Sequence, residues 1–206
     1  MEADLTDEAS LARFCDRVLS QAACIDILIH NAGVGIYAEA RATDPEQARR
    51  LMSLNFLAPA ELTRRLLPRV PDGGSVAFVS SLAGKVAIPN MSVYSASKHA
   101  LNAYADALRI ESRSRNIHVL AVCPGFVSTG FSKRMLQGDS PRWRSKPGRK
   151  GISPERCARS ILAGILKRKR TVVVPRVGWA LVAVKSLLPR AADAMLARYG
   201  RVTGTK

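Results

Sequence analysis

Long apolar runs are absent from this sequence of 206 residues. No stretch approaches the roughly 20 consecutive apolar residues that a membrane-spanning helix needs, so we expect no transmembrane helix. The acidic start, Met1 to Asp4, does not have the pattern of a secretory signal peptide. Hydrophobic residues make up 47% of the chain, and its length suits one globular domain rather than a disordered segment.

Cysteine is also scarce, and the four cysteines lack the spacing of a metal site. Cys15, Cys24, Cys123 and Cys157 form no CxxC pair, so the sequence predicts neither a metal centre nor a disulfide framework. We expect free thiols in a reducing compartment, which favours a cytoplasmic protein. The apolar neighbours of Cys15, Cys24 and Cys123 further predict that these three thiols are buried.

Acidic residues are scarce in one part of the chain only. Residues 1–132 contain 13 Lys and Arg and 13 Asp and Glu, whereas residues 133–206 contain 19 and 3, so the net charge of +16 belongs to the C-terminal third. This asymmetry fits either a solvated basic face or an anionic partner, such as a membrane surface, a phosphorylated ligand or a nucleic acid. Nucleic acid is the least favoured partner, because the region has one well-placed aromatic residue, Trp143, and no known binding motif.

Short apolar runs alternate with segments of helical periodicity. The predicted strands are residues 25–29, 76–79, 117–122 and 171–174, and the predicted helices are residues 7–21, 44–67, 94–113 and 153–168. This alternation predicts an α/β fold, a Rossmann-like doubly wound parallel sheet with helices on both faces. Polar motifs follow the predicted strand ends, where open α/β sheets bind their ligands.

The most informative motif combines a serine hydroxyl, a phenol and an ammonium. Ser81 follows a predicted strand, and Tyr94 and Lys98 lie four residues apart, one helical turn, so both side chains share a helix face. An ammonium beside a phenol favours the phenolate and lowers its pKa from the usual value of about 10. Tyr94 would then exchange protons nearer neutral pH. Alone, however, such a pair is as readily an ordinary surface contact.

Three further motifs stand in register with this one: residues 30–33 (His-Asn-Ala-Gly), Asn55, and residues 124–129. Over about residues 4–129, the four together resemble the short-chain dehydrogenase/reductase family in its compact single-domain branch. The resemblance implies an NAD(P)-dependent oxidoreductase. It also implies catalytic roles for four residues: Tyr94 as acid and base, Lys98 as its electrostatic partner and a ligand of the nicotinamide ribose, Ser81 as the group that orients the substrate oxygen, and Asn55 as part of a proton relay.

The same resemblance implies a set of cofactor-binding residues besides Tyr94 and Lys98. Asp4 would contact the adenine, residues 31–33 the adenosine ribose, and the loop after the fourth strand the nicotinamide carboxamide; the individual residues are Asn31, Ala32, Gly33, Pro124, Gly125, Val127 and Thr129. His30 is read as structural. The basic, apolar tail is similar to that of family reductases that use NADPH, which favours NADP over NAD. Segments 86–93 and 126–136 are apolar and predict an apolar ketone, aldehyde or alcohol as substrate.

One family feature has no counterpart in the sequence. Family members begin with a strand and a glycine-rich turn, Thr-Gly-x-x-x-Gly-x-Gly, whose backbone approaches the cofactor pyrophosphate. Here residues 30–33 stand about 50 residues earlier than in the family, so we expect an N-terminally truncated version of the fold with an open apolar edge at residues 25–29. The sequence is then either a piece of a full dehydrogenase or a naturally short chain. The alternative function is a non-catalytic paralogue or partner subunit that binds dinucleotide weakly.

The C-terminal tail carries a separate prediction. We expect the family domain to cover residues 1–175 and a basic, apolar helical tail to cover residues 176–206. Residues 177–188 are apolar apart from Lys185 and Ser186, which fits a buried helix, a subunit interface or a peripheral contact with a membrane, and a protein interface is favoured. By resemblance, homodimers or homotetramers would form through the helices at 44–67 and 94–113.

Overall fold

A four-stranded parallel sheet forms the centre of the molecule. The structure is a computed structural model, and it describes residues 2–138 and 151–203. Strands β1 (Ile27–His30), β3 (Ser75–Val79), β4 (His118–Pro124) and β6 (Thr171–Val174) pair in that order, each parallel to its neighbour. The predicted parallel sheet is therefore confirmed. A second pair of parallel strands, β2 (Gly35–Ile36) and β5 (Met135–Gln137), was not predicted, because two or three residues are too few to show alternation.

Seven α-helices surround the sheet in the part of the chain that the structure describes. They are α1 (Glu8–Gln21), α2 (Pro45–Met52), α3 (Ala58–Leu66), α4 (Ser92–Glu111), α5 (Pro154–Leu166), α6 (Gly178–Leu187) and α7 (Pro189–Thr203). Helices α1, α2 and α5 begin after residues whose side chains cap them. These residues are Asp7, Asp44 and Ser153, and each accepts a hydrogen bond from the backbone N–H three residues further along the chain. The single helix predicted at 44–67 is instead divided by a π-helical segment, Ser53–Leu57, which separates α2 from α3.

The alternating side chains of the sheet are covered by helices on both faces. Val76, Phe78, Val119 and Ala121 pack with buried residues of α4, whereas Ala77, Leu120 and Val122 pack with Ile165 of α5. Because neighbouring residues of a strand point to opposite faces, α4 and α5 lie on opposite sides of the sheet. This arrangement confirms the doubly wound α/β class.

The outer strand β1 has one covered face and one open face. On the covered side, α1 and α3 bury a cluster that includes Leu11, Cys15 and Leu62. On the open side, Ile27 and Ile29 are each 46% exposed, so the predicted apolar edge is confirmed. Cys24 corrects another expectation: it is exposed, because it lies in the connection between α1 and β1 rather than inside either element. The other three cysteines are buried and free.

The last two helices follow the outer strand β6. Gly178, at the start of α6, is buried, and a Cβ there would lie 2.7 Å from Val173 Cγ1, so the helix packs closely on β6. Lys185 of α6 and Asp193 of α7 form an ion pair at 2.6 Å that joins the two helices. Within the described ranges, no helix is long and apolar enough to cross a membrane.

Candidate active site

A cavity of about 900 Å³ opens at the carboxyl ends of the central strands. Residues 31–33 follow β1, Ser80 and Ser81 follow β3, and residues 124–129 begin at the end of β4. The cavity brings together nearly all the residues predicted for the site: Asn31, Ala32, Gly33, Ser81, Tyr94, Lys98, Pro124, Gly125, Val127 and Thr129. Volumes of this size are ordinary for small-molecule and cofactor sites.

Helix α4 presents Tyr94 and Lys98 to this cavity from its first two turns. The Lys98 ammonium lies 6.0 Å from the centre of the Tyr94 ring. Lys98 is only 4% exposed, and its Nζ donates a hydrogen bond to the Val79 carbonyl oxygen at 3.0 Å. The Tyr94 ring in turn packs against Phe131, with ring centres 5.9 Å apart. The predicted phenol and ammonium are therefore neighbours at one wall of the cavity.

Burial lowers the pKa of Lys98 from 10.5 to about 8, because the charged form loses its hydration. The ammonium thus keeps its proton at neutral pH and places a positive charge beside the phenol of Tyr94. A positive charge in a poorly hydrated place acts strongly on a nearby titrating group. This charge is the electrostatic feature that the motif requires.

The pKa of Lys98 predicts a pH dependence of stability. Below pH 8 the lysine is protonated in both the folded and the unfolded protein, whereas between pH 8 and 10.5 the unfolded protein binds more protons. Lys98 should therefore make a contribution to the free energy of unfolding that rises with pH in this window, by about 1 kcal/mol between pH 8 and 9. Urea unfolding of the wild type and of Lys98→Met at both pH values measures it. The rise should be absent from the variant, and an equal change in both proteins would contradict the assignment.

Asn55 lies in the π-helical segment and is fully buried. Its Oδ1 accepts a hydrogen bond from the Val34 N–H, and its Nδ2 donates to the Val34 carbonyl oxygen, both at 2.9 Å. Nδ2 also donates to Ser97 Oγ at 3.1 Å. A Cβ at Gly33 would lie 3.1 Å from Asn55 Oδ1 and 3.3 Å from Lys98 Nζ. Asn55 therefore holds the chain after β1 tightly against the lysine, and its role in a proton relay stays a prediction.

Ser81 follows β3 and lines the same cavity. Its Oγ accepts a hydrogen bond from the Ala83 N–H at 3.1 Å and makes a long contact of 3.5 Å to the Pro124 carbonyl oxygen. A bond of that length is weak, so the hydroxyl proton can turn to another acceptor. Ser81 lines the cavity together with Tyr94 and Lys98, as the motif predicts.

Two hydrogen bonds fix the serine loop to the helix that carries Tyr94. Ser80 Oγ donates to the Lys98 carbonyl oxygen at 3.0 Å, and Asn102 Nδ2 donates to the Gly84 carbonyl oxygen at 2.7 Å. A Cβ at Gly84 would lie 2.6 Å from the Lys98 carbonyl oxygen, closer than real contacts allow. Gly84 and Asn102 therefore position Ser81 against the helix. Gly84 lies between Ser81 and Tyr94 in the sequence, but the spacing of the motif does not predict its close approach to Lys98.

The loop after β4 is held in place by backbone hydrogen bonds. Gly125 N–H donates to the Val174 carbonyl oxygen at 2.7 Å, and residues 126–128 pair with Ile152 in both directions. Thr129 Oγ1 accepts a hydrogen bond from the Phe131 N–H at 3.2 Å. The segment consequently runs along the cavity wall, where Pro124, Gly125, Val127 and Thr129 were predicted to bind the cofactor.

One predicted residue, Asp4, lies apart from the others. Asp4 is not among the residues of the large cavity; its carboxylate accepts hydrogen bonds from the backbone and side chain of Thr6. Its neighbour Leu5 lines a smaller cavity of about 160 Å³ that also touches Asn31 and Ala32. The adenine contact of Asp4 therefore stays a prediction.

His30 is buried among structural contacts, which agrees with the structural role predicted from the sequence. Its ring stacks on Phe78 with centres 4.8 Å apart, and its Nε2 lies 2.9 Å from Thr63 Oγ1. Burial lowers the pKa of His30 to about 4, so the ring is neutral at physiological pH. A neutral, stacked and hydrogen-bonded histidine braces the strand that precedes residues 31–33.

The cavity wall extends beyond the predicted substrate segments. Ile88, Pro89, Met91, Phe126 and Phe131 line it as expected, whereas Val86 is in the core and the predicted Met135 and Leu136 are outside the lining. Several other apolar or aromatic residues line the cavity without any signal of this in the sequence: Tyr37, Leu54, Cys157, Ile161, Leu181, Met195 and Leu196. The sequence also predicts a basic loop at residues 138–151, and all of that loop except its two end residues lies outside the described residues.

Comparison with known proteins shows which family the chain belongs to. A sequence model described as short chain dehydrogenase matches residues 1–139, more than half of the chain. The chain belongs to the short-chain dehydrogenase/reductase family. Among its relatives is a Drosophila melanogaster protein named dehydrogenase/reductase SDR family protein 7-like, 37% identical over 175 residues. That match covers 83% of this chain and 54% of the fly protein.

Other family members give the same result. A Bos taurus protein named dehydrogenase/reductase SDR family member 7B is 34% identical, again over 83% of this chain and 54% of the bovine protein. The chain thus spans about half the length of the curated relatives it matches.

Solved structures of the family share the fold. A short-chain dehydrogenase from Sphingobium yanoikuyae, determined with NADPH, superposes with a TM-score of 0.74 at 26% identity, over 99% of this chain and 74% of that protein. One from Burkholderia cenocepacia, determined with NADP, gives a TM-score of 0.79 at 27% identity, over 95% and 77%. Both likenesses cover nearly the whole chain rather than the motifs alone.

Proposed function

We propose that this short-chain dehydrogenase/reductase chain carries the catalytic site of an NAD(P)-dependent oxidoreductase that interconverts apolar ketones or aldehydes and alcohols. The observation that carries the proposal is the convergence of Ser81, Tyr94 and Lys98 on one cavity at the strand ends. The structural neighbours from Sphingobium and Burkholderia were determined with NADPH and NADP, which supports a nicotinamide cofactor with a preference for NADP.

The cavity fits the nicotinamide end of such a cofactor. Within the described part of the chain, the buried Lys98 ammonium has one acceptor, the Val79 carbonyl oxygen, and it lines the cavity. An ammonium has three donors, so vicinal hydroxyls of a ribose are suitable partners for the rest. Gly33 leaves space beside Lys98 that a larger side chain would fill. The residues that would hold this end are Lys98, Pro124, Gly125, Val127 and Thr129, whereas Asn31, Ala32 and Gly33 would contact the adenosine ribose.

The chemistry divides between cofactor and protein. When bound, the nicotinamide supplies or accepts the hydride. In reduction, the Tyr94 hydroxyl gives its proton to the substrate oxygen, and in oxidation the phenolate takes it back. The charge of Lys98 stabilises the phenolate, and the Ser81 hydroxyl donates a hydrogen bond that orients the substrate oxygen. Each of these groups is thus assigned one task at a single oxygen atom.

The cavity lining indicates the substrate class. Its walls beyond the polar groups are formed by aliphatic and aromatic side chains from several segments: Leu54, Ile88, Met91, Phe126, Phe131, Ile161 and Leu181. Such walls favour apolar substrates, because each buried methylene contributes about 0.8 kcal/mol to binding. Arg134 adds a cation at the rim. We therefore propose a ketone, aldehyde or alcohol with an apolar body.

A homodimer or homotetramer through the α2–α3 region and α4 is also proposed. Leu57, in the π-helical segment, is 56% exposed, and Ile110, near the end of α4, is 72% exposed. Large exposed apolar side chains on these elements support contact with a second copy. A cytoplasmic location stays a prediction, as does the division between the family domain at 1–175 and the tail at 176–206.

The test of the proposal is carbonyl reduction by the purified chain with NADPH and NADH. Apolar aryl and alkyl ketones and aldehydes serve as substrates, and the alcohol formed is measured directly. We expect NADPH-dependent alcohol formation with apolar substrates and much less with charged ones. NADPH consumption without alcohol, or a preference for charged substrates, would contradict the proposed reaction.

A second candidate is a binding or partner subunit that binds dinucleotide weakly. It rests on the absence from the sequence of a glycine-rich turn for the pyrophosphate. NADPH fluorescence separates the two candidates: a partner subunit would change it weakly and form no alcohol, whereas the proposed enzyme does both.

A further inference from the structure

Helix α6 has its charge on the inside and its apolar residues on the outside. Its exposed residues carry no charge: Trp179, Ala180, Ala183, Ser186 and Leu187. Its one charged residue, Lys185, is half-buried and paired with Asp193 of α7. A helix on the surface of a globular protein in water ordinarily has the reverse pattern, with charged residues outward. The outer face of α6 is therefore built for contact with something apolar.

The exposed apolar area continues beyond the helix. Val177, just before α6, is 73% exposed, Leu187 is 78% exposed, and Leu188, just after it, is 61% exposed. Trp179 is 44% exposed on the same outward side. We call the set formed by Val177, Trp179, Leu187 and Leu188 the α6 patch. Several large exposed apolar residues on one short segment indicate an interaction site rather than ordinary surface variation.

Cations border this patch. Arg176 precedes Val177 in the sequence, Arg190 follows Leu188 by two residues, and both are exposed. The excess positive charge of the chain lies wholly in residues 133–206. An apolar strip with tryptophan and arginine at its margin is the composition of segments that lie in the interface of an anionic membrane. With ten residues, α6 is about 15 Å long, too short to cross the ~30 Å apolar layer and long enough to lie in its surface.

We propose that the α6 patch docks on the surface of a membrane rich in anionic phospholipid. A second copy of the chain is the less favoured occupant of this patch, because it would bring the basic C-terminal third, which holds the whole net charge of +16, against its own like charge. Leu181, on the inner side of α6, lines the large cavity, as do Met195 and Leu196 of α7. Docking therefore sets the α6–α7 wall of the cavity against the bilayer. We also infer that the bilayer supplies the apolar substrate to this cavity. That part of the proposal rests on the proposed function, whereas the docking itself does not.

Vesicle flotation of the full chain tests the docking without any measurement of activity. The vesicles are phosphatidylcholine alone or phosphatidylcholine with phosphatidylserine. We expect binding to the anionic vesicles, weakened by salt, and about tenfold weaker binding after Leu187→Glu, because this change removes an inserted side chain and adds a repelled charge. The matched control is Leu166→Glu, on α5, where the leucine is 73% exposed and the change in net charge is the same. The control should bind nearly as the wild type does.

Four results would overturn the proposal. Equal binding of Leu187→Glu and the wild type would show that the patch is not the contact, and equal losses in both variants would assign any binding to net charge alone. Absence of binding to anionic vesicles would exclude the membrane. If Leu187→Glu instead dissociated a dimer in analytical ultracentrifugation, the occupant would be a second copy. Carbonyl reduction is measured in detergent-free buffer without vesicles, so its rate does not depend on membrane binding. Failure of docking is therefore distinct from failure of the proposed function.

Discussion

Replacing Tyr94 with phenylalanine is expected to lower kcat/KM for carbonyl reduction by about 10²–10⁴-fold. The change removes only the hydroxyl that is proposed to exchange a proton with the substrate oxygen. The ring is 8% exposed and packs against Phe131, and phenylalanine fills the same space, so the fold should persist. NADPH fluorescence titration should give a similar affinity for both proteins. Steady-state kinetics with an apolar ketone measures the effect.

Tyr104→Phe is the matched control for this prediction. Tyr104 lies on the same helix, outside the cavity lining, and its hydroxyl makes a long contact of 3.4 Å to the Ala60 carbonyl oxygen. We expect activity within a few-fold of the wild type. If Tyr94→Phe were as active as this control, the phenol would not be the group that protonates the substrate oxygen. This conclusion would hold whether or not the affinity for NADPH had changed.

Gly84→Ala is expected to lower the free energy of unfolding by about 2–3 kcal/mol and to reduce activity. Its methyl group would lie 2.6 Å from the Lys98 carbonyl oxygen and 2.7 Å from both Asn102 Nδ2 and Ser80 Oγ. These atoms belong to backbone or to short, hydrogen-bonded side chains, so they cannot simply turn away. The serine loop would separate from α4, and Ser81 would lose its position relative to Tyr94.

Gly130→Ala provides the control, because a Cβ there would have no neighbour within 4 Å and its backbone needs no positive φ. Its unfolding free energy should stay within about 0.5 kcal/mol of the wild type. Urea unfolding of the three proteins compares them. A Gly84→Ala protein as stable as the Gly130→Ala protein would contradict the packing described for the serine loop.

The sequence was sufficient to predict the central strands and most of the site, because both rest on local signals. Runs such as residues 76–79 are apolar and end at polar motifs, and Asp44 with the following proline announces the start of α2. Tyr94 and Lys98 are related by helical spacing, which fixes their common direction once α4 forms. The order of four motifs along the chain supplied the family, which comparison then confirmed.

The features that could not be predicted from the sequence depend mostly on contacts between segments that are distant along the chain. The π-helical segment around Asn55 arises where its amide reaches Val34, a contact across 21 residues that periodicity does not reveal. The closeness of Gly84 to Lys98 depends on how the loop meets α4. The outward direction of Leu187 could not be predicted either, since the apolar periodicity of α6 does not tell which side meets the protein. Cys24 was wrongly expected to be buried, because it lies between elements.

The measurement that tests the central claim most directly is a single-turnover reaction of the purified chain with NADPH and an apolar ketone, in which the alcohol is quantified. The account predicts alcohol equal in amount to the NADPH consumed, formed by the wild type and formed at least about a hundredfold more slowly by Tyr94→Phe. No alcohol from the wild type, with no change in NADPH or NADH fluorescence, would contradict it. The chain would then be a member of the family without the family's chemistry.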